Sequence, residues 1–412
     1  MAANATLITN PALVSQWLPA YNPIIVTASS TNTAEPNFRY IVQIVFTYPV
    51  SVTKTIKLSA RPDGFLLFDV HRIVENYISF DFSVGDATDA IECANSFAIF
   101  DIQIGVEYGT TPTEYLNLDS TGDLYAAPAS VKHSVSSFGG ETDFINLVMD
   151  TQYHITNGTT STTRKFLTSS PRTITLCSDN NYYLYITTKN EPIKLRLKVY
   201  DENGGLLSTN YKTLTTGFDG EVVRFGVGTK NINEWNIAYL IGASYYEITL
   251  CNVANAALGE TFTFTIDCDC TKFNESFRLH WLNPLGGFDA HTFNQRFDRN
   301  MNLKKANYTK ILGEMSGGGA YTYTPSQAGK MMFDTRTTEK VTINTNWITE
   351  AESIWLFTLA KSTQVFWEID ADTYAPVVIT DTQYQQKTYA GEKLFNVEMT
   401  MEIGNEIMSQ RG

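Results

Sequence analysis

The chain has 412 residues, of which 43% are hydrophobic and only 18% charged, with 24 Phe and 22 Tyr. That balance excludes a disordered chain and supplies apolar mass for roughly two to four domain cores. The 43 acidic against 30 basic side chains leave a formal net charge of −13 with no Lys/Arg cluster, which argues against a surface that grips nucleic acid by neutralising phosphates but not against the wall of a conduit along which DNA slides.

The opening sequence AANATLITNPALVSQW has neither a basic n-region nor a long apolar run, so no signal peptide is expected. No apolar stretch reaches the ~18 residues that a membrane-spanning helix needs, and no stable membrane insertion is expected. Residues 1–150 predict a β-rich domain with one short helix. Strands are expected at 39–48 and 50–58, with Pro49 as the break between them, and again at 97–108. Val70, Ile73, Val74 and Tyr77 recur at helical spacing behind Asp69, the expected N-cap. The Ser/Gly-rich stretch 134–140 reads as a loop or boundary.

Residues 165–273 predict a β-sandwich or jelly roll. Ile193, Leu195, Leu197 and Val199 alternate with Lys194, Arg196 and Lys198, the pattern of a strand with one buried and one wet face. Asn203-Gly204 and Asp219-Gly220 are placed as hairpin turns, which makes 206–216 and 221–227 partner strands. Strands at 245–251 and 261–266 complete the set.

Residues 274–412 predict an α+β unit, a helix on an antiparallel sheet. Strands are expected at 302–312 and 340–344, separated by a Gly317-Gly318-Gly319 loop. Thr349 and Glu352 form a capping box, and Ile348, Ala351, Trp355 and Leu359 share one face of the helix that follows. Strands at 364–369, 376–380 and 394–403 finish the chain.

The five cysteines, Cys93, Cys177, Cys251, Cys268 and Cys270, are odd in number and scattered, so they read as mostly reduced thiols. Cys268-Asp269-Cys270 is the best metal candidate, since alternate residues of a strand share a face with Cys251 or His280 in reach. Structural zinc ordinarily draws on wider spacing, which favours plain thiols and no bound metal. The five histidines lie far apart, and no G-x-S-x-G, P-loop or Rossmann pattern is present. Neither catalytic residues nor a cofactor are expected. Trp281, Phe288, Phe293 and Phe297 read either as core or as an interaction surface, with core packing favoured. Gly286-Gly287 after Asn283-Pro284 demands a backbone that other residues would strain.

Four segments carry a resemblance: PDGFLLFDVHRIVENYISFDF at 62–82, FRLHWLNPLGGFDAHTF at 277–293, TNWITEAESIWLFTLAKSTQVFWEI at 345–369 and PVVITDTQYQQKTYAGEKLFNVEMTMEIGNE at 376–406. The chain resembles structural proteins of tailed bacteriophages that infect Bacteroidetes, including the crAss-like phages, in which a β-rich chain ends in a helix-plus-strands unit. The resemblance implies a structural role for the turn at Asn283, Gly286 and Gly287. It also implies a virion protein of the tail, neck or baseplate, made in the host cytoplasm, whose partners are copies of itself in a ring and other tail, neck or portal proteins. The alternative is a receptor- or glycan-binding collar or tail spike. The C-terminal unit is expected to join neighbouring copies through its last strands, with Trp281, Phe288, Trp355, Lys393, Glu398 and Glu402 as candidate interface residues.

Overall fold

Strict alternation makes IKLRLKVY a strand, and in the computed structural model Ile193–Tyr200 buries every second side chain. The structure describes residues 5–10, 17–82, 91–130, 153–156, 164–189, 193–213, 219–267, 275–324, 326, 329–345, 347–370, 373–380 and 395–404. The loop expected at 134–140, Cys268, Cys270 and Lys393 lie outside these residues. The protein is mainly β, with several antiparallel sheets, sandwich-like modules and a few helices. It divides into two compact units, Met1–Asp269 with Leu282–Ala290, and Cys270–Trp281 with His291–Gly412.

The first unit holds two sandwich cores. In one, the sheet of Thr6–Thr9, Ile25–Ser29 and Leu66–Asp69 shares a core with the sheet built on Arg39–Tyr48 and Ala98–Tyr108. Tyr40, Phe46, Phe100 and Leu124 are fully buried there. In the other, Tyr183–Lys189 and Asp219–Gly226 face a five-stranded sheet centred on Tyr245–Asn252. The short strand Ile91–Glu92 pairs with Val223 and Arg224, so the N-terminal segment adds an edge to the second sandwich.

One expected hairpin turn is present, and two expectations need correction. The Asn203-Gly204 turn joins Ile193–Tyr200 to Leu206–Thr213, with Gly204 at φ +78°. Asp219-Gly220 is no hairpin turn, because Asp219–Gly226 pairs with Tyr183–Lys189 in the opposite sheet. Alternation marks a strand but does not choose its partner. At the first helix, His71–Val74, the N-cap is Val70. Asp69 instead accepts from the N–H groups of Ile24 (2.9 Å) and His71 (3.1 Å), tying a strand end to the helix start.

The second unit is a sheet in the order Phe288–Phe293, Phe277–Leu282, Val365–Asp370, Thr373–Ile379, Glu398–Ile403, Lys330–Asn344, Asp298–Thr309. The helix Glu350–Lys361 shares a core with Phe277, Leu279, Trp281, Val341 and Met399. Its capping box is present: Thr349 Oγ1 accepts from the Glu352 N–H, and a Glu352 carboxylate oxygen accepts from the Thr349 N–H at 2.7 Å. The buried face carries Ser353, Trp355, Leu356 and Leu359, whereas Ala351 is exposed. The stripe is thus rotated from the expected one, since Trp355 and Leu356 both turn inward.

Candidate interaction surface

The Asn-Pro-x-Gly-Gly turn is a buried bracket. Asn283 Oδ1 accepts from the N–H groups of Leu285 (2.9 Å) and Gly287 (3.2 Å), and its Nδ2 donates to the Leu167 carbonyl and an Asp289 carboxylate oxygen, both at 2.9 Å. The Gly286 N–H donates to the Asn283 carbonyl at 3.1 Å. Leu285 is not among the residues of positive φ, so Pro284 sits at the second position of a type I turn and Gly286, at φ +92°, supplies the left-handed residue. A Cβ on Gly287 would lie 2.6 Å from the Leu167 carbonyl oxygen. Together these contacts fasten the tip Leu282–Ala290 within the first unit.

Trp281 (0% exposed), Phe288 and Trp355 are buried. Trp281 donates its indole N–H to Thr358 Oγ1 at 2.9 Å, and its ring lies 5.1 Å from that of Trp355. None of the three offers a ring to a partner, because Trp281 and Trp355 fill the core of the second unit and Phe288 packs against Phe80 and Phe82. Glu398 is exposed, and Glu402 reaches Lys340 at 3.7 Å. Both stand on Glu398–Ile403, which is paired on both sides, as is Thr373–Ile379. The last strands therefore have no open edge to offer a neighbour. The outer strand on that side is Asp298–Thr309.

One face of the same sheet carries a buried polar row that no sequence pattern announced. Register places Arg278, Glu368 and Tyr374 opposite one another on three adjacent strands, with His280 two residues along. One Glu368 carboxylate oxygen lies 3.1 Å from Arg278 Nε and 2.6 Å from His280 Nε2, and Arg278 also donates to Thr292 Oγ1 at 2.8 Å. Burial holds His280 below the ordinary histidine value against the opposing pull of Glu368. A neutral His280 therefore donates to Glu368, while Arg278 balances the carboxylate charge. His291 is lowered to about 4 by burial and by the Arg278 charge. The row is a polar clamp between strands, linking positions far apart in the chain.

The thiols are divided. Cys93 and Cys251 are free and buried, and burial pushes the Cys93 thiol up to about 12, so it stays protonated and inert as a nucleophile at neutral pH. Cys177 is disulfide-bonded, an exception to the expectation of mostly reduced thiols; it ends a strand opposite Asp267. Among the described residues no three His, Cys, Asp or Glu side chains are grouped to hold a metal ion, and no helix is long and apolar enough to cross a membrane.

The feature with the chemistry of a binding surface is an arm. Asp298–Thr309 and the 15-residue strand Lys330–Asn344 pair along their length as a hairpin that outruns the core. Only the base of the longer strand is buried, at Val341 and Ile343. Beyond it the arm exposes Met301 (59%), Leu303, Tyr308, Ile311 (89%), Met315 (77%) and Tyr321. Its end is shaped by a second small ladder, Glu314–Met315 with Tyr321–Thr322, and by Gly313 at φ +83°, where a Cβ would strike the Tyr321 ring. So much exposed apolar surface on one projection is a mark of an interaction site. The expected strands at 302–312 and 340–344 cover only parts of this hairpin. The missed signal is symmetry: the triple glycine lies midway between two β-prone runs, as a hairpin requires.

No protein-family model matches the chain, and no curated protein matches it. Among solved structures, the full extracellular region of plexin A4, domains 1 to 10, is similar at 10% identity with a TM-score of 0.17, over 98% of this chain and 31% of that one. The chain thus spans about a third of the plexin chain's length, and a likeness of that size carries no argument about fold or function.

Proposed function

We propose that the chain is a structural protein of a tailed-bacteriophage virion, a multi-copy tail, neck or baseplate component made in the host cytoplasm. Its work is architectural: sandwich modules act as rigid spacers, and the C-terminal unit joins neighbours so that a conduit or its appendages are held in register. The observation that carries this reading is the arm. A hairpin that leaves its own core and exposes Met301, Ile311 and Met315 has a cost in water that only a partner removes. The sequence resemblance supplies the phage context, and the net charge of −13 suits a surface that DNA passes without sticking.

A second reading, a receptor- or glycan-binding spike, draws on the exposed Tyr308, Tyr321 and Tyr323 near the arm's end, because aromatic rings stack on sugar faces. Reconstruction of the purified particle separates the two. On the order of six to twelve copies around the tail axis supports the architectural reading, as closed cyclic assembly requires. Isolated spikes off the axis that bind host polysaccharide support the second, and absence from the particle removes both. Neither reading includes catalysis, and turnover of peptidoglycan or capsular polysaccharide that disappears on changing one acidic residue would overturn them.

A further inference from the structure

We propose that the arm docks on the outward face of the helix Glu350–Lys361 in a second copy of the same chain, an inference that rests on the assembly reading above and names its contact. The arm's outer part, residues 303–333, has four lysines and one glutamate, in a chain whose net charge is −13. Lys304, Lys305, Lys310 and Lys330 are all exposed. The arm is thus a basic projection on an acidic protein, attracted to the body of another copy although the two bodies repel.

The helix offers the complement. Its inner face is buried through Trp355, Leu356 and Leu359, which leaves Glu350 and Ile354 (52% exposed) turned outward, with Lys361 exposed at the far end of the helix. Trp347 stands before the helix's N-cap, Thr349, at 62% exposure. Glu350 and Ile354, four residues apart, set a carboxylate beside an apolar side chain at the acidic first turn of the helix, the match for an apolar hairpin with lysines in it. The exposed Trp347 and Ile354 also have the composition found at interface centres. Each copy carries both halves, a donor arm and an acceptor face, so the contact is head-to-tail and propagates from copy to copy until rotation closes a ring.

The test uses the full chain with two surface variants, Leu303→Lys with Ile311→Lys on the arm, and Ile354→Lys on the helix face. These residues are exposed, and unchanged thermal melting by circular dichroism verifies that both variants fold. Sedimentation and light scattering up to ~100 µM should show wild type above monomer size and each variant weakened by at least about tenfold in self-association. The decisive sample is the equimolar mixture: the arm variant keeps its face, the face variant keeps its arm, and the mixture forms one-to-one pairs that grow no further. Wild type that stays monomeric, an arm variant that associates normally, or a mixture without pairs overturns the proposal. Pelleting of wild type with phosphatidylserine vesicles in place of self-association also overturns it, by identifying a membrane as the arm's target. Ring copy number in the virion with an assembling arm variant sinks this contact alone, whereas arm-dependent oligomers of a protein absent from virions sink the virion reading alone.

Discussion

Glycines 286 and 287 are adjacent, yet the fold requires them for different reasons. Gly286 is at φ +92°, where a Cβ strains the backbone, whereas Gly287 faces the Leu167 carbonyl so closely that any side chain must displace backbone. Gly286→Asn should therefore be milder than Gly286→Val, since Asn tolerates positive φ. Gly287→Ala and Gly287→Asn should each cost about 1–3 kcal/mol by overpacking. Urea denaturation of the four variants measures this, and equal losses at both positions would show that space, not φ, governs the turn. The buried clamp gives a second test at this scale. Glu368→Gln leaves Arg278 without its carboxylate and should destabilise the second unit by about 3–5 kcal/mol, the usual result of removing one partner of a buried pair. An unaltered denaturation midpoint would show that the clamp is energetically idle.

At the scale of elements, the arm and the helix are opposites. The helix was readable from Thr349, Glu352 and the spacing of Trp355 and Leu359, because capping and periodicity are local. The arm's length was not, because its exposed strands lack the buried-face alternation that marks ordinary ones. The second unit's core contains no residue between 298 and 337. Replacing 303–337 with a two-residue Asn-Gly turn, which joins the paired Asn302 and Thr338, should therefore leave the melting temperature of the second unit nearly unchanged while removing self-association. A large drop in melting temperature would show that the arm stabilises its own unit instead of serving a neighbour.

At the scale of the whole molecule, two units with their own cores should unfold in separable steps, and pH should separate them further. In the second unit His280 and His291 both lie below the ordinary histidine value, so the unfolded chain takes up protons first as pH falls. The stability held by these neutral rings is complete above pH ~6.5 and declines as pH drops towards about 4, the value for His291. In the first unit, burial raises the Glu260 carboxyl, and Arg172 and the Phe166 N–H only partly offset it. A raised carboxyl makes the opposite contribution, since the folded state binds its proton first. Calorimetry between pH 7 and 5 should show the second unit's transition falling faster than the first's. His291→Phe should flatten that fall, and parallel shifts of both transitions would overturn the assignment.

The β class, the strands at 39–48, 193–200 and 245–251, the capped helix and the need for a special turn at 283–287 are legible in the residues alone. Each of these is fixed by residues close along the chain, through alternation, capping or backbone freedom. Folding settles which strands pair, the burial of Trp281, Phe288 and Trp355, the pairing of the strands Thr373–Ile379 and Glu398–Ile403 on both sides, and the meeting of Arg278, His280 and Glu368. Those outcomes depend on contacts between residues tens to hundreds of positions apart, where local pattern is silent and the burial of a face against its partner sets the arrangement.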